Sequence, residues 1–245
     1  SPMFNNLRFN DAGQIAFISM INGPSVTPAS NLTIWSEGSG TLSLVARRGD
    51  QAPDTPAGAL FDLNANSGNI LRFNNSGKVA FRTNLIPSPA AGVTTQNDQG
   101  LWSDASGSLK LVAREDNIAP GTNGESRFDN FLFYEFSDAG NVVFSANTRP
   151  VGTGLSKYGI WSADMGGEIS LIALHGDPAP GTSAGTTFLI SRPSPILNPL
   201  GHVAFLASLT GDGVNSRNDQ GIWAQDAAGN LRLVLREGES FEVAP

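Results

Sequence analysis

The chain has 245 residues, a formal net charge of −7 and no cysteine, which excludes disulfides, thiol catalysis and cysteine-ligated metals. Its 15 basic residues form no run that could neutralise a phosphate backbone, so nucleic acid is not an expected partner. No apolar stretch is long enough for a transmembrane segment, and 28 glycines with 15 prolines indicate a chain that turns often.

Three sequence anchors recur four times along the chain. The first is an Asn/Ser-x-x-Gly turn followed by a short apolar segment that ends in Phe17, Phe81, Phe144 and Phe205. The second is a Gly-Ile-Trp type of segment that contains Trp35, Trp102, Trp161 and Trp223. The third is a Leu-x-Leu-Val-Ala-Arg type of segment. This self-similarity predicts one repeat domain over residues 1–245, with repeats at about 1–53, 54–120, 121–180 and 181–245.

Each repeat predicts four strands in chain order. A short apolar lead meets the turn, whose glycine accepts a positive φ, and the Phe segment and the Trp segment follow as the second and third strands. A glycine hairpin leads to the fourth strand, where alternation places Leu42, Leu44 and Ala46 on one face and Ser43, Val45 and Arg47 on the other. A proline-containing connector then crosses to the next repeat.

Tandem four-stranded antiparallel units predict an all-β fold of sixteen strands, namely a β-propeller of four blades or an arc of a larger propeller. A β-solenoid is disfavoured by the length of each repeat, and a β-sandwich by the near identity of the repeats. Three arrangements stay open: a ring of four blades, a dimer of two arcs, and a subunit of a larger polymer.

These anchors resemble the tandem repeats of a family of bacterial exported proteins described by the motif Asn-x-x-Gly-x-Val-Ala-Phe, and the resemblance covers nearly the whole chain. It implies secretion or display at the cell surface and a propeller-like repeat domain, and it brings no established catalytic activity. The chain departs from the pattern at Leu174, which replaces the arginine of the third anchor, and at 236–245, where two extra residues precede the Ala-Pro of the connector.

The four tryptophans are interpreted as core residues that pack between blades together with the four anchor phenylalanines. The alternative is a sugar-stacking platform on each blade. Arg47, Arg114 and Arg236 are candidate ligand-binding residues that would face a central channel and bind an anion. The alternative for these arginines is a salt bridge to an adjacent acid or stacking on the tryptophan of the same repeat.

Two loops, residues 96–100 and 217–221, are nearly identical. Their carboxylate and amide oxygens are weak candidates for a calcium site, the only cofactor that the sequence suggests, and the residues are Asn97, Asp98, Asn218, Asp219 and the nearby Asp212. No bidentate Glu follows at EF-hand spacing, so an Asx turn that leads into the third strand is favoured.

The position after the third anchor accepts very different side chains and is therefore interpreted as solvated; it holds Arg48, Glu115, His175 and Glu237.

No catalytic constellation is identifiable, because the sequence has no Gly-x-Ser-x-Gly, no His-x-x-x-His and no phosphate-binding loop. The favoured function is a non-catalytic, secreted or cell-surface module that binds a protein partner or assembles with copies of itself. A carbohydrate-binding, lectin-like propeller is the alternative. A glycoside hydrolase, with paired carboxylates contributed by distant blades, is a third hypothesis.

Overall fold

The computed structural model describes residues 4–64 and 71–240. These residues form strands and one short 3-10 helix, Pro89–Ala91. The strands are β1 Phe4–Phe9, β2 Ile15–Met20, β3 Leu32–Ser36, β4 Ser43–Arg47, β5 Phe61–Asp62, β6 Leu71–Phe73, β7 Val79–Leu85, β8 Gln99–Ser103, β9 Lys110–Arg114, β10 Ser126–Phe136, β11 Val142–Pro150, β12 Lys157–Ala163, β13 Ile169–Leu174, β14 Thr187–Leu189, β15 Ile196–Leu197, β16 Val203–Thr210, β17 Gln220–Gln225 and β18 Leu231–Arg236.

The strands form four consecutive antiparallel sheets, which we call blades 1 to 4. Blade 1 contains β1 to β4, blade 2 β5 to β9, blade 3 β10 to β13, and blade 4 β14 to β18. In every blade the anchor phenylalanine of the second strand pairs with the tryptophan of the third, as Phe17↔Trp35, Phe81↔Trp102, Phe144↔Trp161 and Phe205↔Trp223. The predicted fold class, an all-β propeller type with four-stranded antiparallel blades, is confirmed.

The first strand of a blade is less regular than predicted. The described residues contain eighteen strands rather than sixteen, because β5 and β6 both pair with β7, and β14 and β15 both pair with β16. In blade 4 the prolines Pro193 and Pro195 lie between the two pieces and lack the N–H that a continuous ladder needs. In blade 3 the same strand, β10, is continuous and its register shifts twice.

The prediction of alternation in the fourth strand is wrong. Ile34 pairs with Ala46 and Trp35 pairs with Leu44, so Val45 is the extra residue of a β-bulge. The same register shift recurs in the other three blades. Leu44 therefore shares a face with Trp35, whereas Ala46 lies on the opposite face with Ile34.

The hydrophobic core lies between neighbouring blades. Each blade turns its anchor Phe and Trp toward the preceding blade, and we call this side the aromatic face. It turns smaller apolar residues toward the following blade, and we call this side the aliphatic face. Between blades 3 and 4, for example, Val143 and Ile160 pack in one cluster with Phe205 and Trp223. The same arrangement joins blade 1 to blade 2 and blade 2 to blade 3.

The Asn/Ser-x-x-Gly turns stack on one another and fix the order of the blades. Asn10 Nδ2 donates to the Asn74 carbonyl at 3.1 Å, and Asn74 Nδ2 donates to the Ser137 carbonyl at 2.8 Å. The Ala139 N–H continues the stack to the Pro199 carbonyl at 3.0 Å. As a result, β1 contacts β6, β6 contacts β10, and β10 contacts β15.

Candidate interaction surfaces

The Gly-Ile-Trp anchor builds a closed unit around a buried indole. In blade 3, the Trp161 ring folds back over Gly159, where a Cβ atom would lie 2.5 Å from Cη2 of the indole. Trp161 Nε1 also donates to the carbonyl of the connector residue Pro120 at 2.9 Å. The same unit recurs with Gly100, Trp102 and Pro53 in blade 2 and with Gly221, Trp223 and Pro180 in blade 4. These three indoles are fully buried, so a sugar ring cannot stack on them.

Trp35 of blade 1 differs from the other three tryptophans. Thr33 occupies the glycine position, and its Oγ1 accepts a hydrogen bond from Trp35 Nε1 at 2.8 Å. A side chain at this position would meet an indole placed as in the other three blades, and the Trp35 ring is partly exposed. Blade 1 consequently presents an open indole on its aromatic face.

The whole aromatic face of blade 1 is open, because no blade precedes it in the described residues. We call it the aromatic end face, and its exposed members, with 47–73% of their surface accessible, are Phe4, Leu7, Phe9, Leu42 and Leu44. The residues in the equivalent positions of blade 2 belong to the core between blades 1 and 2, namely Leu71, Phe73, Leu109 and Leu111. The Phe4 ring packs edge-on against Phe17 at a centroid distance of 5.7 Å, as Phe131 does against Phe144 at 5.5 Å in blade 3.

The aliphatic face of blade 4 is open in the same way. We call it the aliphatic end face, and its exposed members, 41–62% accessible, are Leu189, Ile196, Leu206, Ile222 and Val234. Strand register places them at the positions held in blade 3 by Asn130, Glu135, Ser145, Ile160 and Ile172. Blade 4 thus has an aliphatic side chain at three positions where blade 3 has a polar one.

Polar residues at these positions in blade 2 bind the blade that follows. Arg72 forms a bidentate ion pair with Glu135 at 2.9 and 3.0 Å, and its guanidinium lies 5.0 Å from the Tyr134 ring centroid. Arg82 Nη1 donates to the Leu132 carbonyl at 2.8 Å. The equivalent residues of blade 4 are Ile196 and Leu206. Their side chains form no hydrogen bond or ion pair and can contact a neighbour only through apolar packing.

The three candidate arginines anchor loops, a role that differs from both sequence interpretations. Each Nε atom donates to a backbone carbonyl of the loop between the second and third strands: Arg47 to Ser30 at 2.7 Å, Arg114 to Asn97 at 2.6 Å and Arg236 to Asn218 at 2.8 Å. None of the three takes part in an ion pair or a cation–π contact among the residues that the structure describes. Because the acceptors are backbone atoms, no neighbouring acid or aromatic residue in the sequence signals this role.

The two weak calcium loops are closed by their own hydrogen bonds. Asn97 Oδ1 accepts from the Thr94 N–H at 2.9 Å and from Arg114 Nη2 at 3.1 Å, and Asn218 Oδ1 accepts from the Asn215 N–H at 2.8 Å. Asp212 is exposed and Asp219 is partly buried. Within residues 4–64 and 71–240, no group of three or more His, Cys, Asp or Glu side chains could hold a metal ion.

Glu115 was expected to be solvated and is instead 7% exposed. Burial, with a smaller contribution from the nearby Asp98 and Asp129, raises the pKa of Glu115 to about 7, although the hydrogen bond from the Gln99 N–H at 3.0 Å lowers it. Burial also raises the pKa of Asp98, whose carboxylate accepts hydrogen bonds from Asn84 and Glu115. The expectation failed because equivalent positions in the four repeats differ in burial as well as in residue type.

No helix among the described residues has both the length and the apolar character needed to span a membrane.

A model of a family of unknown function, DUF7453, matches residues 2–115 and again residues 67–245. Overlapping matches of one model are typical of internal repeats. No curated protein matches the chain.

Three solved structures are similar in shape at low identity. Two are complexes of the α-L-arabinofuranosidase Arb93A from Fusarium graminearum with an iminosugar inhibitor, one of them a mutant; they have 12% and 10% identity and TM-scores of 0.34, over 91% of this chain and 60% and 64% of theirs. The third is the polysaccharide lyase Uly1, with 9% identity and a TM-score of 0.37 over 99% of this chain and 51% of that one. This chain therefore spans less than two thirds of the length of each.

Proposed function

We propose that this chain, which belongs to the DUF7453 family of unknown function, is a non-catalytic structural module that binds protein through its two end faces. The observation that carries the proposal is the composition of the aliphatic end face. Leu189, Ile196 and Leu206 are exposed there, at positions where the preceding blade has polar or charged side chains.

An exposed apolar sheet face is unfavourable unless something covers it. Terminal units of repeat proteins are normally polar on the outside, because that face meets water. Among the described residues, blade 4 is more apolar at these positions than blades 2 and 3, so its outer face lacks the polar side chains that suit contact with water. A contiguous exposed apolar patch of this kind marks an interaction surface.

The remaining candidate residues support a structural role. The buried tryptophans bind the connectors, and the three arginines bind the loops, so these anchors are occupied within the fold. We place the module outside the cell, in an exported bacterial protein, on the resemblance of its anchors to such repeats. The absence of cysteine is compatible with that location.

The proposal is tested by the binding of an environment-sensitive apolar dye to the 245-residue chain, diluted until it sediments as a monomer so that no second copy covers the end faces. We expect dye fluorescence to increase on binding, and the double variant Leu206→Lys, Ile222→Lys to lose the share of this increase that comes from the aliphatic end face. The matched control is Leu155→Lys, because Leu155 is 86% exposed but lies in the β11–β12 loop away from both end faces. All variants are first checked for unchanged far-UV circular dichroism.

Two results would refute the proposal. One is dye binding that is unchanged in the end-face variant. The other is binding or cleavage of a glycan, tested with a glycan array, calorimetric titration and a panel of glycosides, because it would favour the carbohydrate-related alternatives.

A further inference from the structure

We infer that the partner of the end faces is a second copy of this chain, bound head to tail so that two copies close a ring of eight blades. The inference rests on the proposed function and names the partner of the same surfaces. The two end faces are complementary, because the interface between neighbouring blades consists of one aromatic face and one aliphatic face.

The chain already builds this interface three times within itself. In each case the aromatic face of one blade packs on the aliphatic face of the blade before it. The only aromatic face left uncovered in the described chain is that of blade 1, and the only aliphatic face left uncovered is that of blade 4. A second copy therefore supplies the missing half at each end.

The residues at the two ends match pairwise. Strand register makes Leu7 the equivalent of Tyr134, which lies under Arg72 of the preceding blade, and Ile196 is the equivalent of Arg72. A head-to-tail contact thus brings Ile196 against Leu7, so an apolar pair replaces a cation–π pair. Both members are 62% exposed in the single chain.

A second pair follows the same rule. Phe4 pairs with Ser19 as Phe131 pairs with Ala146, so Phe4 is the equivalent of Phe131. Arg82 of blade 2 donates to the carbonyls of Phe131 and Leu132, and its equivalent in blade 4 is Leu206. Head-to-tail docking therefore places Leu206 near Phe4. Where blade 2 uses Arg82 to bind blade 3, the two ends have apolar side chains on both sides.

The number of copies follows from closure. A contact between two different surfaces of the same molecule either closes into a ring or continues into a fibre. Propellers typically contain about four to eight blades. Two copies of four blades give eight, which lies within this range, whereas three copies exceed it.

The test is sedimentation velocity on the 245-residue chain over a concentration series. We expect a species of twice the chain mass of 25.6 kDa. The variants Ile196→Glu and Leu7→Arg each place an unpaired charge in both interfaces of the ring, and each is expected to weaken dimerisation by about a hundredfold or more. The control Leu155→Glu is expected to leave dimerisation unchanged.

The double variant Ile196→Glu, Leu7→Arg is the decisive sample. Head-to-tail pairing brings the new carboxylate against the new guanidinium, so this variant is expected to dimerise more tightly than either single variant. A single variant that still dimerises like wild type, or a double variant no better than the singles, would overturn the inference. A wild-type monomer at all concentrations would also overturn it, and if that monomer binds the apolar dye at its end faces, the proposed function stands.

Discussion

The substitution Trp161→Ala tests the closed unit of glycine, tryptophan and connector proline. The Trp161 side chain is fully buried, packs edge-on against Phe128 at 5.0 Å and stacks on Phe144 at 6.2 Å. Removing a buried Trp side chain typically costs about 3–5 kcal/mol through lost burial and the cavity that remains. The lost hydrogen bond to the Pro120 carbonyl adds about 1 kcal/mol. We therefore expect the free energy of unfolding to fall by about 4–6 kcal/mol.

The matched control is Trp35→Ala in blade 1. Trp35 is partly exposed and its Nε1 binds Thr33 rather than a connector, so we expect a loss of only about 1–2 kcal/mol. Both variants are compared with wild type by urea unfolding in dilute solution. Far-UV circular dichroism is the readout, because each substitution removes an indole fluorophore. If Trp161→Ala costs no more than Trp35→Ala, the assigned role of the buried indoles is wrong.

Three further predictions concern other parts of the blades. Gly159→Ala places a Cβ against the Trp161 ring and should destabilise the chain by about 1–3 kcal/mol, seen as a lower urea midpoint; Gly154→Ala, in an open loop, is the control. The raised pKa of Glu115 means that the folded state keeps a proton which the unfolded chain releases. The stabilisation that Glu115 contributes to the folded state is therefore fully present below pH 4.5 and is lost as pH rises through about 7. The variant Glu115→Gln should accordingly gain stability relative to wild type, by about 2–3 kcal/mol, between pH 5 and pH 8. Arg114→Met removes the bond to the Asn97 carbonyl and should speed proteolysis of the loop before β8 several-fold, with little change in blade content by circular dichroism.

Each of these has an opposing result. A neutral Gly159→Ala would mean that the indole can shift to accept a methyl group. A stability difference between Glu115→Gln and wild type that does not change with pH would mean that Glu115 does not take up the proton on folding. Equal proteolysis rates for Arg114→Met and wild type would mean that Arg114 does not hold the loop in place.

The repeats and the strand order were predictable because the anchors carry local signals. A turn glycine, a β-branched segment and a proline each restrict the backbone on their own. The bulge at Val45 was not predictable, because Leu44, Val45 and Ala46 are all apolar and a period of two cannot distinguish their faces. A register shift in such a segment leaves no trace in the hydrophobic pattern.

The candidate sites depended on information that local patterns lack. The acceptors of Arg47 and Arg114 are backbone carbonyls, which every residue has. The aliphatic end face, by contrast, left a signal in the sequence: Leu206 stands where the two preceding repeats have Arg82 and Ser145. That signal emerges only when one position is compared across repeats in the light of which face meets the next blade.

The hydrogen bond from each buried indole to the connector proline has a consequence for how such a protein can grow by gene duplication. The acceptor precedes its blade in the chain, as Pro120 precedes Trp161. A duplicated segment that began at the first strand of a blade would carry the indole without its acceptor. A segment that began at the connector, such as 120–179, would bring both partners together with the glycine between them. A duplicated segment that keeps this hydrogen bond would therefore begin one connector before the first strand of its blade.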